Sequence, residues 1–203
     1  MAGQVWVLAT RNPDKLREIR RILSGKEWTF KSLADFPDAP DVIEDGSTFL
    51  ENARKKARAA WEHTGIGAIA DDSGLEVDAL GGAPGVLSSR FSGENASYHE
   101  NNRKLLEMLE GIPLKQRIAR FRCVVVLVKG EEESWVEGAY TGMILNEPRG
   151  KGGFGYDPLF YVPSRGKTFA EMTAEEKNHL SHRGIAFRKV AELLQKGEFP
   201  PQT

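Results

Sequence analysis

The chain has 203 residues, with 28 Lys and Arg against 29 Asp and Glu and a formal net charge of −1. Hydrophobic residues make up 40% and charged residues 28%, too apolar for disorder and enough to build a core without covalent staples. Without a basic surplus, nucleic acid and anionic membrane are poor partners, and no apolar run reaches the ~18 residues of a membrane helix. The single cysteine, Cys123, cannot form an internal disulfide, and no basic, apolar leader precedes the first strand-like run. The expectation is one domain over residues 1–203, soluble and cytoplasmic.

Val5-Trp6-Val7-Leu8-Ala9 reads as a strand buried on both faces. A helix follows with Leu16, Ile19, Ile22 and Leu23 on one side, Asn12 as N-cap and Pro13 at the first helical position. A second helix opens at Thr48, paired with Glu51 as a capping box, carries Phe49, Ala53, Ala57 and Ala60 along one face, and stops near Gly65. A short strand, 68–70, is expected to end at Asp71-Asp72-Ser73-Gly74, with a half-buried strand over Leu75, Val77 and Ala79 beyond it. After the turn 81–85, Ser97 and Glu100 cap a helix that buries Leu105, Leu106 and Leu109. Runs 118–128 and 134–145 predict an antiparallel hairpin, with Cys123 as a small core residue. A glycine-rich loop, 150–155, leads into 158–162, and helices starting near Thr173 and Arg183 close the chain. The pattern is α/β, with mixed strands and flanking helices.

Two familiar patterns fail on context. Gly150-x-Gly152-x-x-Gly155 fits a dinucleotide fingerprint, but Pro158 stands where its helix should run. Gly166-Lys167-Thr168 resembles the end of a Walker loop, but Tyr161 replaces the leading glycine. His63, His99, His179 and His182 lack zinc-site spacing.

Five segments carry chemistry. Thr10-Arg11-Asn12-Pro13-Asp14-Lys15 joins a buried strand to a helix N-terminus, where amide groups, the helix dipole and Lys15 attract anions; a capped helix with an exposed lysine is the plainer reading. Asp71 and Asp72, adjacent in extended chain, point to opposite faces, so they do not form a proton-sharing dyad. One of them suits Mg²⁺, which takes one or two carboxylates and keeps waters and phosphate oxygens; a solvated turn is the alternative. Glu44-Asp45 offers a second acidic ligand or a surface pair. Phe154, Gly155, Tyr156 and Asp157 put two aromatics and an acid on a loop, for base stacking or for local packing. Lys177 and Ser181-His182-Arg183 gather donors that read a base edge or cap a helix.

In this order the segments resemble the inosine triphosphate pyrophosphatase family, which hydrolyses non-standard purine nucleoside triphosphates. The matching stretches are residues 9–15, 48–53, 70–75, 81–85 and 152–158, together with Glu176-Lys177 and Ser181-His182-Arg183-Gly184. The resemblance implies a homodimer built on a long mixed twisted sheet with flanking helices, its two lobes set around a central active-site cleft. It implies that Thr10, Arg11, Asn12, Pro13, Asp14 and Lys15 hold the triphosphate, with Lys56 reaching it from the second helix. Asp72 corresponds to the catalytic carboxylate and a Mg²⁺ ligand, Asp71 supports it, and Ser73 lines the substrate site. Phe154 corresponds to the stacking residue beside Gly155, Tyr156 and Asp157, while Lys177, His182 and Arg183 correspond to the base-edge contacts.

The resemblance implies cleavage to a nucleoside monophosphate and pyrophosphate, with water attacking the α-phosphorus and no covalent intermediate. Hypoxanthine and xanthine carry an acceptor oxygen at position 6 where adenine carries a donor amine, so donors from 181–183 discriminate between them. A non-catalytic purine nucleotide sensor of the same fold is the alternative. Two departures stand out. Arg11 occupies a position where many relatives have a small residue, and it either joins the phosphates or faces solvent. Glu44 is the expected second metal ligand, with Asp45 as competitor.

Overall fold

The computed structural model of the protein describes residues 4–25, 28–197 and 199. Its strands are β1 (Val5–Leu8), β2 (Thr29–Ser32), β3 (Ala68–Val77), β4 (Ile118–Lys129), β5 (Glu132–Ile144), β6 (Phe160–Val162) and β7 (Lys167–Thr168). Its α-helices are α1 (Pro13–Ile22), α2 (Phe49–Thr64), α3 (Tyr98–Met108), α4 (Ala174–Leu180) and α5 (His182–Gln195). The strands form one mixed open sheet in the order β2-β1-β3-β4-β5-β6-β7. β1 runs parallel to both β2 and β3, pairing Val7 with Ala68 and Leu8 with Ile69. β4 and β5 are joined by two residues, a connection that only antiparallel neighbours allow. β6 is antiparallel to β5 and to β7.

The chain forms two compact units, residues 1–72, 123–138 and 183–203, and residues 73–122 and 139–182. In the first, sheet residues alternate between two apolar layers, as period-two side-chain direction requires. Trp6, Leu8, Ile69, Cys123 and Val125 pack with Ile19 of α1 and with Phe187 and Val190 of α5. Ala9, Ala68, Ala70, Val126 and Val128 pack with Ala53, Ala57 and Ala60, whose small side chains let α2 approach the strands closely. The second unit buries Leu75, Val77, Leu105, Leu109 and Ile144 around aromatic rings. Phe160 lies 4.7 Å from both Phe121 and Phe169, and such pairs add about 0.5–1.5 kcal/mol each beyond burial. Among the described residues, no helix is long and apolar enough to cross a membrane.

Asn12 and Ser97 cap α1 and α3 as expected, and Ser97 and Glu100 complete a capping box. At α2, Thr48 accepts from the Glu51 amide, and the Glu51 carboxylate also accepts from the Ser47 amide and hydroxyl. The acidic segment differs. The expected strand end at Asp71 lies inside β3, which runs unbroken through Gly74 to Val77. The two apolar runs flanking 71–74 join because both carboxylates find cationic partners within the fold, which overrides the turn-like composition.

Candidate functional site

In the first unit, a cation–carboxylate group lies on each face of β3. Ile69 and Asp71 share the face toward α1 and α5, while Ala68, Ala70 and Asp72 share the face toward α2. On the first face, Asp71 accepts from Arg183 Nη2 at 3.2 Å and pairs with Lys15 Nζ at 3.1 Å. The Cys123 thiol lies 3.9 Å from the same oxygen, and Arg183 Nη1 donates to Glu18 at 2.7 Å. Burial works to raise the Asp71 carboxyl, but Lys15, Arg183 and Lys56 outweigh it and hold it far below the usual range. Burial also pushes the Cys123 thiol up, with the Asp71 charge adding to it, so the thiol stays protonated.

Lys15 is delivered by the first turn of α1. Asn12 Oδ1 accepts from the amides of Asp14 at 2.9 Å and Lys15 at 3.1 Å, and the Asn12 amide donates to Thr10 Oγ1 at 3.2 Å. Asp14 pairs with Arg17. Arg11 turns to the following loop, donating to the Ala39 carbonyl at 2.5 Å and pairing with Asp41 at 3.2 Å.

On the second face, Lys56 Nζ donates to Asp72 Oδ1 at 3.2 Å and to Glu44 Oε2 at 2.9 Å. Asn52 Nδ2 donates to Asp72 Oδ2 at 3.3 Å, and its Oδ1 accepts from the Gly46 amide at 2.8 Å. Burial pushes the Asp72 carboxyl above its ordinary value, reinforced by Glu44 and opposed by Lys56 and Lys15. For Glu44 the balance reverses: burial raises it, but Lys56 and Lys15 prevail and hold it low. Asp45 pairs instead with Lys55, more exposed than either carboxylate. Consecutive residues on a helix point about 100° apart, so Lys55 and Lys56 sort the two acids. Across both faces, Lys15, Lys56 and Arg183 meet Glu18, Glu44, Asp71 and Asp72, leaving one negative charge in excess.

The second unit carries the loop aromatics. Asp157 accepts from the Phe154 amide at 2.8 Å and from Lys177 Nζ at 2.5 Å, and Lys177 lies 4.8 Å from the Phe154 ring centre. Gly155 turns with φ +60° and its carbonyl accepts from Asn102 Nδ2 at 2.9 Å. Phe154, Gly155, Tyr98 and Asn102 line a cavity of about 560 Å³. Tyr156 points inward, its hydroxyl donating to the Ser88 carbonyl at 2.9 Å, and burial raises its pKa. His182 is buried and stacks on Phe121 at 4.6 Å. Ser73, next to Asp72 in sequence, is half-buried.

Residues 6–193 match the sequence model of the Ham1 family. The chain belongs to the Ham1 family. A protein of Geobacter sulfurreducens named dITP/XTP pyrophosphatase is 57% identical over 189 residues, which is 93% of this chain and 95% of that protein. The protein of the same name from Escherichia coli O157:H7 is 49% identical, over 96% of this chain and 100% of its own length. Among solved structures, a HAM1 protein from Coxiella burnetii matches with a TM-score of 0.87 at 45% identity, covering 95% of this chain and 99% of that one. The Ham1 protein of Staphylococcus aureus matches at 0.85 and 38%, covering 96% and 100%.

In this Ham1-family chain, the residues singled out from sequence fall into separate groups. Lys15, Glu44, Lys56, Asp71, Asp72 and Arg183 converge in the first unit, with Thr10, Asn12, Pro13 and Asp14 shaping the turn that presents Lys15. Phe154, Asp157 and Lys177 converge in the second, with Gly155 beside them. Sequence reasoning assigned no role to Asn52 or Glu18. Asn52 had a legible signal: a polar amide flanking the alanine face of its helix, one turn before Lys56.

Proposed function

We propose that the chain hydrolyses non-standard purine nucleoside triphosphates (ITP, dITP and XTP) to the monophosphate and pyrophosphate. The observation that carries this reading is the convergence of Asp72 and Glu44 on Lys56, with Lys15 held on the other face of the same strand. A triphosphate brings about four negative charges, and water does not attack its α-phosphorus until they are neutralised. The N-terminus of α1, Lys15 and Lys56 supply positive potential for the phosphates. Asp72, its carboxyl raised by burial, takes the proton of the attacking water. The bond from the α-phosphorus to the bridging oxygen breaks, and that oxygen leaves with pyrophosphate.

The donor set also fits Mg²⁺. Among the described residues, no three acidic, His or Cys side chains form a self-sufficient metal cage. A pair of carboxylates with one unbalanced negative charge suits an ion that keeps waters and phosphate oxygens in its shell. Asp72 and Glu44 would hold it; when bound, it polarises the phosphoryl oxygens and neutralises developing charge. At the base end, Phe154 would stack on the purine, and Lys177 and His182 would donate toward its 6-oxygen, whereas Arg183 is committed to Asp71 and Glu18 in the first unit. A mismatched 6-amino group at a site built on such donors costs up to ~10⁴-fold. By resemblance we extend the reading to a cytoplasmic homodimer, for which light scattering should give twice the monomer mass.

The decisive assay is pyrophosphate release from ITP, dITP, XTP and ATP, with Mg²⁺ and with chelator. Release from the first three, selective over ATP and dependent on Mg²⁺, is expected. Tight binding of ITP with no pyrophosphate formed would make the chain a sensor instead. The loop supplies a second check. Gly153 has φ +69°, and a Cβ there would fall 2.0 Å from Asp157 Oδ2. Gly153→Ala should therefore shift the Asp157 carboxylate and with it Phe154 and Lys177, raising KM for ITP about tenfold, a 1.4 kcal/mol loss of binding. An unchanged KM would remove the loop from base recognition.

A further inference from the structure

We infer that Asn52 is a positioning residue, which sets how the carboxylates of Glu44 and Asp72 face one another. The inference rests on reading those two groups as the cation-holding pair. Asn52 is fully buried in α2, next to Ala53 and one turn before Lys56. An apolar side chain of the same shape would fill that place without the cost of desolvating an amide. The amide is retained and used at both ends: Nδ2 holds one oxygen of Asp72, and Oδ1 holds the backbone of Gly46. With Oδ2 taken by Asn52, Asp72 turns Oδ1 toward Lys56, where it meets Glu44.

Glu44 needs such a tether. Residues 40–46 have no regular secondary structure, so the segment is located by what grips it. Arg11 grips it at Asp41 and at Ala39 just before it, and Asn52 grips it at Gly46, two residues beyond Glu44. One rigid amide on the helix thereby references both acids, one by side chain and one by backbone. Outer groups that orient metal ligands are typically worth 10–100-fold in metal affinity.

Two variants test this by different routes. Asn52→Leu keeps the branched shape and deletes both hydrogen bonds. Gly46→Ala leaves Asn52 in place but would put a Cβ 2.6 Å from its Oδ1 and 2.8 Å from Glu51 Cβ, forcing the amide off the loop. The probe is Mn²⁺ with the α,β-methylene analogue of inosine triphosphate, read by enhanced water-proton relaxation, which reports protein-held Mn²⁺. Circular dichroism and thermal melting establish which variants fold. In each folded variant, the Mn²⁺ concentration for half-maximal enhancement should rise about tenfold or more, while kcat at saturating Mn²⁺ falls by a smaller factor. A purely structural asparagine would lower the folded fraction and leave that concentration unmoved. Should Asn52→Leu fail to fold, Gly46→Ala decides. Folded variants that titrate with Mn²⁺ like the wild type overturn the role of Asn52 alone; no enhancement in the wild type overturns the Glu44–Asp72 pair and this inference with it.

Discussion

Asp72→Asn is expected to lower pyrophosphate release from ITP by about 10³-fold while the chain stays folded and still binds the nucleotide. The amide is nearly isosteric, so the loss isolates charge and proton affinity. It cannot accept the proton of the attacking water, and it contributes no negative charge to a divalent cation. The folding side is close to neutral because two effects oppose. Burial raises the Asp72 carboxyl, with Glu44 adding to it, so the fold already disfavours the charged form and neutralising it relieves desolvation. Against that, Asp72 accepts from Lys56 on one oxygen and from Asn52 on the other, and the new NH₂ must face one of these donors. A net hydrogen bond is worth about 1 kcal/mol, so stability should shift by no more than roughly that amount. Steady-state rates, binding of a non-hydrolysable analogue and thermal melts separate the three quantities. A variant within tenfold of wild-type kcat would remove Asp72 from the chemistry.

Local signals were legible where one short stretch contains its own physics. Asn12-Pro13 specifies a helix start because the cap and the missing proline N–H act within one turn, and Ser97 with Glu100 does the same. The opposite facing of Asp71 and Asp72 also follows from strand period alone. What escaped were features decided by distant partners. Thr29-Phe30-Lys31-Ser32 has little apolar alternation, and it forms β2 because β1 offers it a parallel edge. The length of β3 was missed because its acidic middle looks like a turn until Lys15 and Lys56 are placed beside it.

The choice between Glu44 and Asp45 is of the same kind. Nothing in the dipeptide separates them, whereas the helix phase of Lys55 and Lys56 sends one acid toward Asp72 and the other toward solvent. Arg11 joins its turn to Ala39 and Asp41, a contact across 28 residues that charge alone does not reveal. Arg183 lies 112 residues from Asp71 and 165 from Glu18, yet the three interlock. In each case the type of residue was legible and its partner was not, because partner choice is settled by how helices lie on the sheet.

Asp71→Asn should produce the largest loss of stability among single changes at the site, about 3–5 kcal/mol. Asp71 is fully buried, and its charge offsets both Lys15 and Arg183; without it, Glu18 faces Arg183 alone and Lys15 loses its buried partner. Removing one member of a buried pair leaves uncompensated charge, which costs more than the pair contributes. In a chain of this length each kcal/mol moves the melting temperature by about 2–4 °C, so a fall near 10 °C is expected. The pH dependence identifies the cause. Lys15 and Arg183, prevailing over burial, hold the folded carboxyl below its unfolded value, so the folded chain binds fewer protons there. That stabilisation is fully present above the unfolded value near pH ~3.9 and is withdrawn as pH falls through the folded one. The gap between wild type and variant should therefore be constant near neutrality and narrow below about pH 4. Melts from pH 7 down to pH 3 measure it. A gap that stays constant across that range, or a variant as stable as the wild type at pH 7, would mean that Asp71 is not the counter-charge that holds Lys15 and Arg183 in place.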